Sequence, residues 1–187
     1  MSDPYICSWR GGPILAAPIR KLIQNPKRIV GPYLSSGMTA MDIGSGMGFF
    51  SIPMSDMVGE KGNVIAVDLQ KEMLAGLRDR ASTTGCENIL YQQCDYTSLN
   101  IQKWKGSVDF VLVFMMLHEV PDADRLIREI GEALVPGGKL LFAEPVFHVN
   151  NKAFQNSRKE IEQSGFTLVT TPRIALCRSA VFQKSID

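Results

Sequence analysis

Paired cysteines are the first thing missing from this 187-residue chain. Its four, Cys7, Cys86, Cys94 and Cys177, are scattered with no Cys-x-x-Cys spacing, which argues against a zinc ribbon or a thioredoxin-like redox site and makes reduced thiols the expectation. No apolar run approaches the length that crosses a bilayer, and the start Met1-Ser2-Asp3-Pro4-Tyr5 lacks the basic-then-apolar pattern of a secretory signal. A cytoplasmic protein without membrane contact is therefore expected. Histidine is scarce, with His118 and His148 alone. Internal repeats, low-complexity tracts and inter-domain linkers are absent as well. What remains, 20.7 kDa with 45% apolar and 21% charged residues, suits one globular domain with a substantial core and no second catalytic domain.

The formal net charge of +1 conceals an asymmetry. Residues 1–37 carry Arg10, Arg20, Lys21, Lys27 and Arg28 against Asp3 alone, a net +4, which leaves −3 on residues 38–187. This basic leader also holds Pro4, Pro13, Pro18, Pro26 and Pro32, which divide it into short helical pieces, and Asn25-Pro26 reads as a cap and first helical residue. Its cations fit the wet side of an amphipathic helix, or a surface that meets an anionic substrate or nucleic acid. With Tyr5, Trp9 and Ile14 it is also a candidate lid over a site in the body. The division read from the sequence is thus a leader, 1–37, and a main domain, 38–187.

From residue 38 onward strands and helices alternate. Apolar runs predict strands at Met38–Ile43, Val64–Val67, Asn88–Cys94, Val108–Phe114, Lys139–Glu144, Phe166–Thr170 and Ala180–Gln183. Helical spacing predicts a helix starting near Phe49, with Pro53 in its first turn, and one over Lys71–Thr84 stopped by Gly85. A third is capped by Asp122, carries the stripe Ala123, Leu126, Ile127, Ile130, Leu134 and ends at Pro136-Gly137-Gly138. A weaker one covers Lys152–Ser164. Such alternation implies right-handed crossovers and a parallel sheet.

Where the first strand should turn into a helix stands Met41-Asp42-Ile43-Gly44-Ser45-Gly46-Met47-Gly48-Phe49. Glycines let backbone turn tightly and approach a ligand. Dinucleotide oxidoreductases carry Gly-x-Gly-x-x-Gly, whereas Phe49 occupies the third-glycine position here, which disfavours a nicotinamide enzyme. Twenty residues after Gly48, Asp68 closes the next apolar run, where a strand delivers a carboxylate to the two hydroxyls of a ribose.

The glycine run, Val64-Ile65-Ala66-Val67-Asp68-Leu69, Cys94-Asp95-Tyr96 and Leu134-Val135-Pro136-Gly137-Gly138-Lys139-Leu140 follow in an order that resembles the class I S-adenosylmethionine-dependent methyltransferases over about residues 36–184. The resemblance implies a Rossmann-like α/β fold: a mostly parallel seven-stranded sheet of order 3-2-1-4-5-7-6, its last strand antiparallel, with helices on both faces. It also implies S-adenosylmethionine as cofactor and S-adenosylhomocysteine as product. Gly44, Ser45, Gly46 and Gly48 would wrap the methionine moiety while Asp42 helps to hold its amino group. Asp68 would take the ribose, Leu69 and Met73 would pack on adenine, and Asp95 would meet the adenine amino group with Cys94 or Tyr96 beside the ring. Asp95 can equally cap the turn that follows it. Phe114 would sit near the sulfonium or serve as a core aromatic.

Methyl transfer from a sulfonium gains most from alignment, and a base helps where the acceptor must lose a proton. His118 and His148 follow neighbouring strands and converge on the substrate side. Three readings stay open: His118 as base or anchor oriented by Glu144 or Glu119, His118 and His148 with a carboxylate as metal ligands, or histidines that pack. The expected site is His118, Glu144 and His148 without metal. No Asp-Pro-Pro-Tyr or Asn-Pro-Pro-Tyr follows strand four, which argues against amino-methylation of nucleic-acid bases, and the cysteines do not show the arrangement of arsenite methyltransferases. A small-molecule acceptor is the expectation. An RNA or protein methyltransferase, a non-catalytic cofactor-binding module and an NAD(P)-dependent oxidoreductase are the competing classes.

Overall fold

The computed structural model describes residues 20–186. The proposed lid residues Tyr5, Trp9 and Ile14 lie outside them. The described part of the leader forms α1 (Arg20–Ile23) and α2 (Pro26–Val30). Asn25 caps α2 as expected, its Oδ1 accepting from Lys27 N at 3.0 Å, with Pro26 at the first helical position. The body then alternates β1 (Thr39–Ile43), α3 (Ser51–Val58), β2 (Asn63–Asp68), α4 (Lys71–Thr84), β3 (Ile89–Gln93), β4 (Val108–Phe114), α5 (Ala123–Ala133), β5 (Leu134–Pro145), α6 (Asn151–Gln163), β6 (Phe166–Thr170) and β7 (Cys177–Lys184).

The seven strands form one sheet in the order β3-β2-β1-β4-β5-β7-β6. β3 through β5 run parallel, and β7 is antiparallel to both β5 and β6, as the resemblance implies. Alternate strand residues face opposite helical layers. Ala40, Val64, Ala66 and Leu112 pack with α2, α3 and α4, while Met41, Ile43, Ile65, Val67 and Val113 pack with α5 and α6. The strand order reverses between β1 and β4, and the carboxyl ends of strands at such a point open a crevice.

Local signals set most boundaries. Gly85 stops α4 in a left-handed conformation, φ 71°, while Asp122 and Asn150 cap α5 and α6 by accepting from Arg125 N and Ala153 N. One boundary is misread from the sequence: Leu134 continues the apolar stripe of α5 but belongs to β5, where it pairs with Val108. The Pro136-Gly137-Gly138 turn is an irregular stretch inside that strand. Gly137 has φ 77°, and a Cβ on Gly138 would lie 2.9 Å from Val135 O and Leu134 Cδ2. β7 also begins three residues earlier than predicted, at Cys177, because it pairs back as far as Pro145.

Candidate functional site

A cavity of 490 Å³ opens at the carboxyl ends of β1, β2, β4 and β5, a volume usual for small-ligand sites. The loop after β1 forms one wall. Gly44, Ser45 and Gly46 all line it, with Gly44 at φ 74° and Gly46 at φ 52°. The glycines differ in why they must be glycine. A Cβ on Gly46 would meet nothing within 4 Å, so its backbone borders open space, whereas a Cβ on Gly44 would touch Met116 Cγ at 3.0 Å. Gly48 departs from the expectation. It does not line the cavity, and a Cβ there would lie 2.1 Å from Leu77 Cδ1, so Gly48 lets the loop close onto α4.

Two acids stand behind this loop. Asp42 is 2% exposed, and Ser51 Oγ at the start of α3 donates to its Oδ2 at 2.5 Å. Burial pushes its carboxyl up to about 6, with the Ser51 bond and the Arg20 charge working the other way. Asp68 is 8% exposed; its Oδ2 accepts from Gly46 N at 2.8 Å and its Oδ1 from Gln70 N at 2.9 Å. It thereby ties the glycine loop to the end of β2. Burial raises its carboxyl as well, opposed by those amide donors. Ser45 Oγ is buried and has no hydrogen-bond partner among the described residues, an acceptor and donor left for a ligand.

Leu69 and Met73 continue this wall, followed by Cys94, Asp95 and Tyr96 after β3. Burial pushes the Cys94 thiol up to about 12, which makes it a packing group rather than a nucleophile. Asp95 is exposed and serves its own turn: Oδ1 accepts from Thr97 N, Thr97 Oγ1 and Ser98 N, and Oδ2 from Asn100 Nδ2. The Thr97 hydroxyl and amide lead the donors that hold it down to about 2. The turn-capping alternative raised by the sequence is thus realised, at a residue that still lines the cavity. Phe114 lines the deep end, its ring centroid 4.6 Å from that of Phe50.

The opposite wall comes from β4 and β5. Met115, in the left-handed region at φ 58°, is a strained non-glycine residue at the strand end. His118 follows on the next turn, and its Nδ1 lies 2.5 Å from Glu144 Oε2, while its backbone N donates to Oε1 at 3.3 Å. Glu144 is therefore the carboxylate that meets the His118 ring. Glu144 is 2% exposed and does not line the cavity; it sits behind His118, and burial raises its carboxyl against the pull of that histidine. His148 lines the cavity on the β5 side, edge-on to His118 with ring centroids 5.5 Å apart. Among the described residues no set of three His, Cys, Asp or Glu side chains is placed to hold a metal ion.

Several lining residues had no sequence signal as site residues. Arg20 reaches in from α1, its guanidinium 4.3 Å from the Phe49 ring centroid. Phe147, 75% exposed, and Leu176 edge the mouth together with Met116, Val120 and Pro121. The composite is a crevice with buried acids and an unsatisfied hydroxyl at one side, a histidine–carboxylate pair at the other, and apolar surface around the mouth. It suits a ligand rich in hydroxyl and ammonium donors beside an apolar partner that gives up a proton.

A family model described as a methyltransferase domain matches residues 34–177. The chain is 33% identical over 122 residues to the ubiquinone/menaquinone biosynthesis C-methyltransferase UbiE of Vibrio vulnificus, covering 63% of this chain and 46% of that protein. The protein of the same name from Haemophilus ducreyi is 33% identical over 115 residues, covering 59% and 44%. The chain thus spans about half the length of the curated relatives it matches. Among solved structures, a SAM dependent methyltransferase from Aquifex aeolicus superposes with a TM-score of 0.84 at 21% identity, covering 95% of this chain and 98% of that one. The [4+2]-cyclase SpnF superposes at 0.73 with 15% identity, covering 87% and 80%. At these identities the likeness is one of fold, and the cyclase shows that the fold does not dictate the reaction.

Proposed function

This chain belongs to the class I S-adenosylmethionine-dependent methyltransferases, and from that premise we propose that it transfers a methyl group from S-adenosylmethionine to a small-molecule acceptor, releasing S-adenosylhomocysteine. The observation that carries the reading is the conjunction, in one cavity, of buried Asp68, the unpartnered Ser45 hydroxyl and the open space at Gly46. A donor-rich nucleoside with an amino-acid tail fits those three needs.

Asp68 keeps lone pairs beyond the two amide bonds it accepts, and these take the ribose hydroxyls. Asp42 holds the amino group and Ser45 the adjoining polar atoms, while Leu69 and Met73 flank the adenine with Cys94 and Tyr96 at its edge. Asp95, fixed by its turn, retains acceptor capacity for the adenine amino group. Phe114 gives the deep end an apolar face. When bound, S-adenosylmethionine supplies a methyl group on a sulfonium whose departure leaves a neutral thioether.

Across the cleft, Nδ1–H of His118 donates to Glu144, which fixes the ring and leaves the Nε2 lone pair to take a proton from the acceptor. Glu144 acts through His118 and is a positioning residue. His148 borders the acceptor space. The apolar mouth of Met116, Val120, Pro121 and Phe147 favours an acceptor with an apolar body, a reading supported by relatives named as C-methyltransferases of ubiquinone/menaquinone biosynthesis. Among the described residues no helix is long and apolar enough to cross a membrane.

Calorimetric titration tests the reading. S-adenosylmethionine and S-adenosylhomocysteine should bind, and Asp68→Ala should weaken both by ~1.5–3 kcal/mol, the scale of hydrogen bonds to a charged group. Tight binding of NADH, or an Asp68→Ala variant that binds S-adenosylhomocysteine as the parent does, overturns it. Incubation with methyl-labelled donor and pools of small apolar phenols, enols and amines, with RNA as a separate arm, then identifies the acceptor. Salt-steep RNA binding with label in RNA would move the assignment to a nucleic-acid enzyme.

A further inference from the structure

We propose that Arg178 is a positioning residue for the methyl acceptor: by gripping the turn that carries His148, it sets that imidazole against His118 so that both rings address one acceptor. The inference rests on the acceptor being bound at His118. Both histidines of the chain line the cavity, with ring centroids 5.5 Å apart and planes at 88°. His118 owes its orientation to Glu144, whose carboxylate meets Nδ1. No hydrogen bond among the described residues holds the His148 ring in the same way. His148 is exposed and stands in the turn between β5 and α6, so its placement depends on the backbone beneath it.

Arg178 holds that backbone. Its Nη1 donates to Val149 O at 2.7 Å and to Val146 O at 3.3 Å, the carbonyls on either side of Phe147 and His148. The two N–H groups of that nitrogen suffice for both, and bonds from a charged donor are stronger than those from a neutral one. β7 is preceded by a main-chain tie as well: Val146 N donates to Leu176 O at 3.0 Å, and Leu176 is held at φ 64°, a left-handed conformation uncommon outside glycine. Val149 anchors the far end of the turn in the core at 7% exposure. The turn is thus pinned at both ends while the ring it carries faces the cavity.

The strand register ties this clamp to the chemistry. Glu144 and Arg178 stand opposite each other where β5 pairs with β7, and opposed residues of an antiparallel pair share one face of the sheet. Instead of pairing with each other, each serves one histidine: Glu144 holds the His118 ring and Arg178 the His148 turn. One rung of the sheet therefore fixes both imidazoles. Two rings do what a single base does not. Nε2 of His118 takes the proton, while a ring N–H of His148 donates to the acceptor atom that loses it and stabilises the charge left there.

The test has a spectroscopic arm and a kinetic one. With two histidines in the untagged chain, the nuclear Overhauser effect between their ring protons is unambiguous. It should be present in the parent and in Arg178→Lys and lost in Arg178→Met, with the S-adenosylhomocysteine Kd changed by less than about 3-fold. In the kinetic arm, labelled methyl transfer is followed to the acceptor selected from the phenol, enol and amine pool. His148→Phe and Arg178→Met should each lower kcat/KM about 10- to 100-fold, and Arg178→Lys should recover part of the loss. The double variant should fall no more than about 3-fold below His148→Phe, because Arg178 acts through that ring. Losses that multiply in the double variant, a parent without the Overhauser effect, or an effect that survives Arg178→Met overturns the assignment. A parent that methylates nothing in the pool overturns the acceptor reading itself, which separates the two failures. Should Arg178→Met fail to fold, Arg178→Gln, neutral and shorter, takes its place in both arms.

Discussion

Replacing Asp42 by Asn should make the ligand-free protein more stable and a worse binder, with the gain confined to pH values above the native titration of Asp42. Its carboxyl titrates near 3.8 when unfolded and at about 6 in the folded protein, because burial penalises the ionised form more than Ser51 and Arg20 support it. A raised carboxyl means that the native state binds the proton more tightly. Below pH 3.8 both states are protonated and the group is neutral in its effect; between 3.8 and 6 stability falls as pH rises; above 6 the whole cost is present. At ~1.4 kcal/mol per tenfold in proton affinity, that cost is about 3 kcal/mol. Asparagine cannot ionise, yet its Oδ1 can still accept from Ser51. Urea unfolding of parent and variant from pH 4 to pH 8 isolates the effect, since every other titration cancels in the difference. The variant should gain about 2 kcal/mol relative to its own offset at pH 4, where part of the cost is already present, or roughly 4–8 °C in Tm at pH 8 for a chain of this length. Parallel stability curves across that range, or a difference that shrinks toward pH 8, would refute the assignment of a buried, ionised Asp42.

Four further outcomes follow from the geometry. Gly48→Ala, with φ 81° and a Cβ 2.1 Å from Leu77 Cδ1, should cost about 2–4 kcal/mol by denaturant unfolding, from left-handed backbone and overpacking together. Gly46→Ala, where a Cβ meets nothing within 4 Å, should cost about 1–2 kcal/mol of stability while weakening S-adenosylhomocysteine in calorimetry at least as much, because the added methyl enters ligand space. His118→Gln should lower kcat for the identified acceptor by about 100-fold with the S-adenosylhomocysteine Kd unchanged, and Glu144→Gln should lower kcat less, since the ring keeps its hydrogen bond but loses the charge behind it.

Much of the fold was legible because it follows from spacing within elements. α4, β4 and β6 fall on the residues read from periodicity, and Asn25, Asp122 and Gly85 mark ends because a cap or a left-handed stop needs only its own neighbours. Leu134 shows where such reading stops. Its side chain satisfies the stripe of α5 and the ladder beside Val108 equally, and pairing across the sheet decided for the strand. The antiparallel seventh strand was legible through family resemblance, since alternation alone predicts parallel pairing.

The site divides in the same way. Asp68 was visible because strand end, acid and glycine loop follow a local pattern, but the bond from Gly46 N to Asp68 links residues 22 apart, and the one joining His118 to Glu144 spans 26. No spacing rule chooses Glu144 over Glu119. Arg20 was more hidden still, because a cation in a basic leader reads as solvated surface until the fold turns it toward Phe49. Glycine identity was equally silent on role: Gly46 borders open space and Gly48 abuts Leu77, two residues apart in one motif. What unites the acids of the site is burial. Asp42, Asp68 and Glu144 all sit at the carboxyl ends of strands with burial raising each carboxyl, and each is sustained by a specific donor, Ser51, the Gly46 and Gln70 amides, or His118. A fold does not gather three desolvated acids around one cavity for stability's sake. For Asp42 and Asp68, which line the cavity, the cost in the ligand-free protein is the counterpart of what hydroxyl and ammonium donors would recover under the proposed function, while Glu144, behind His118, is answered by the histidine.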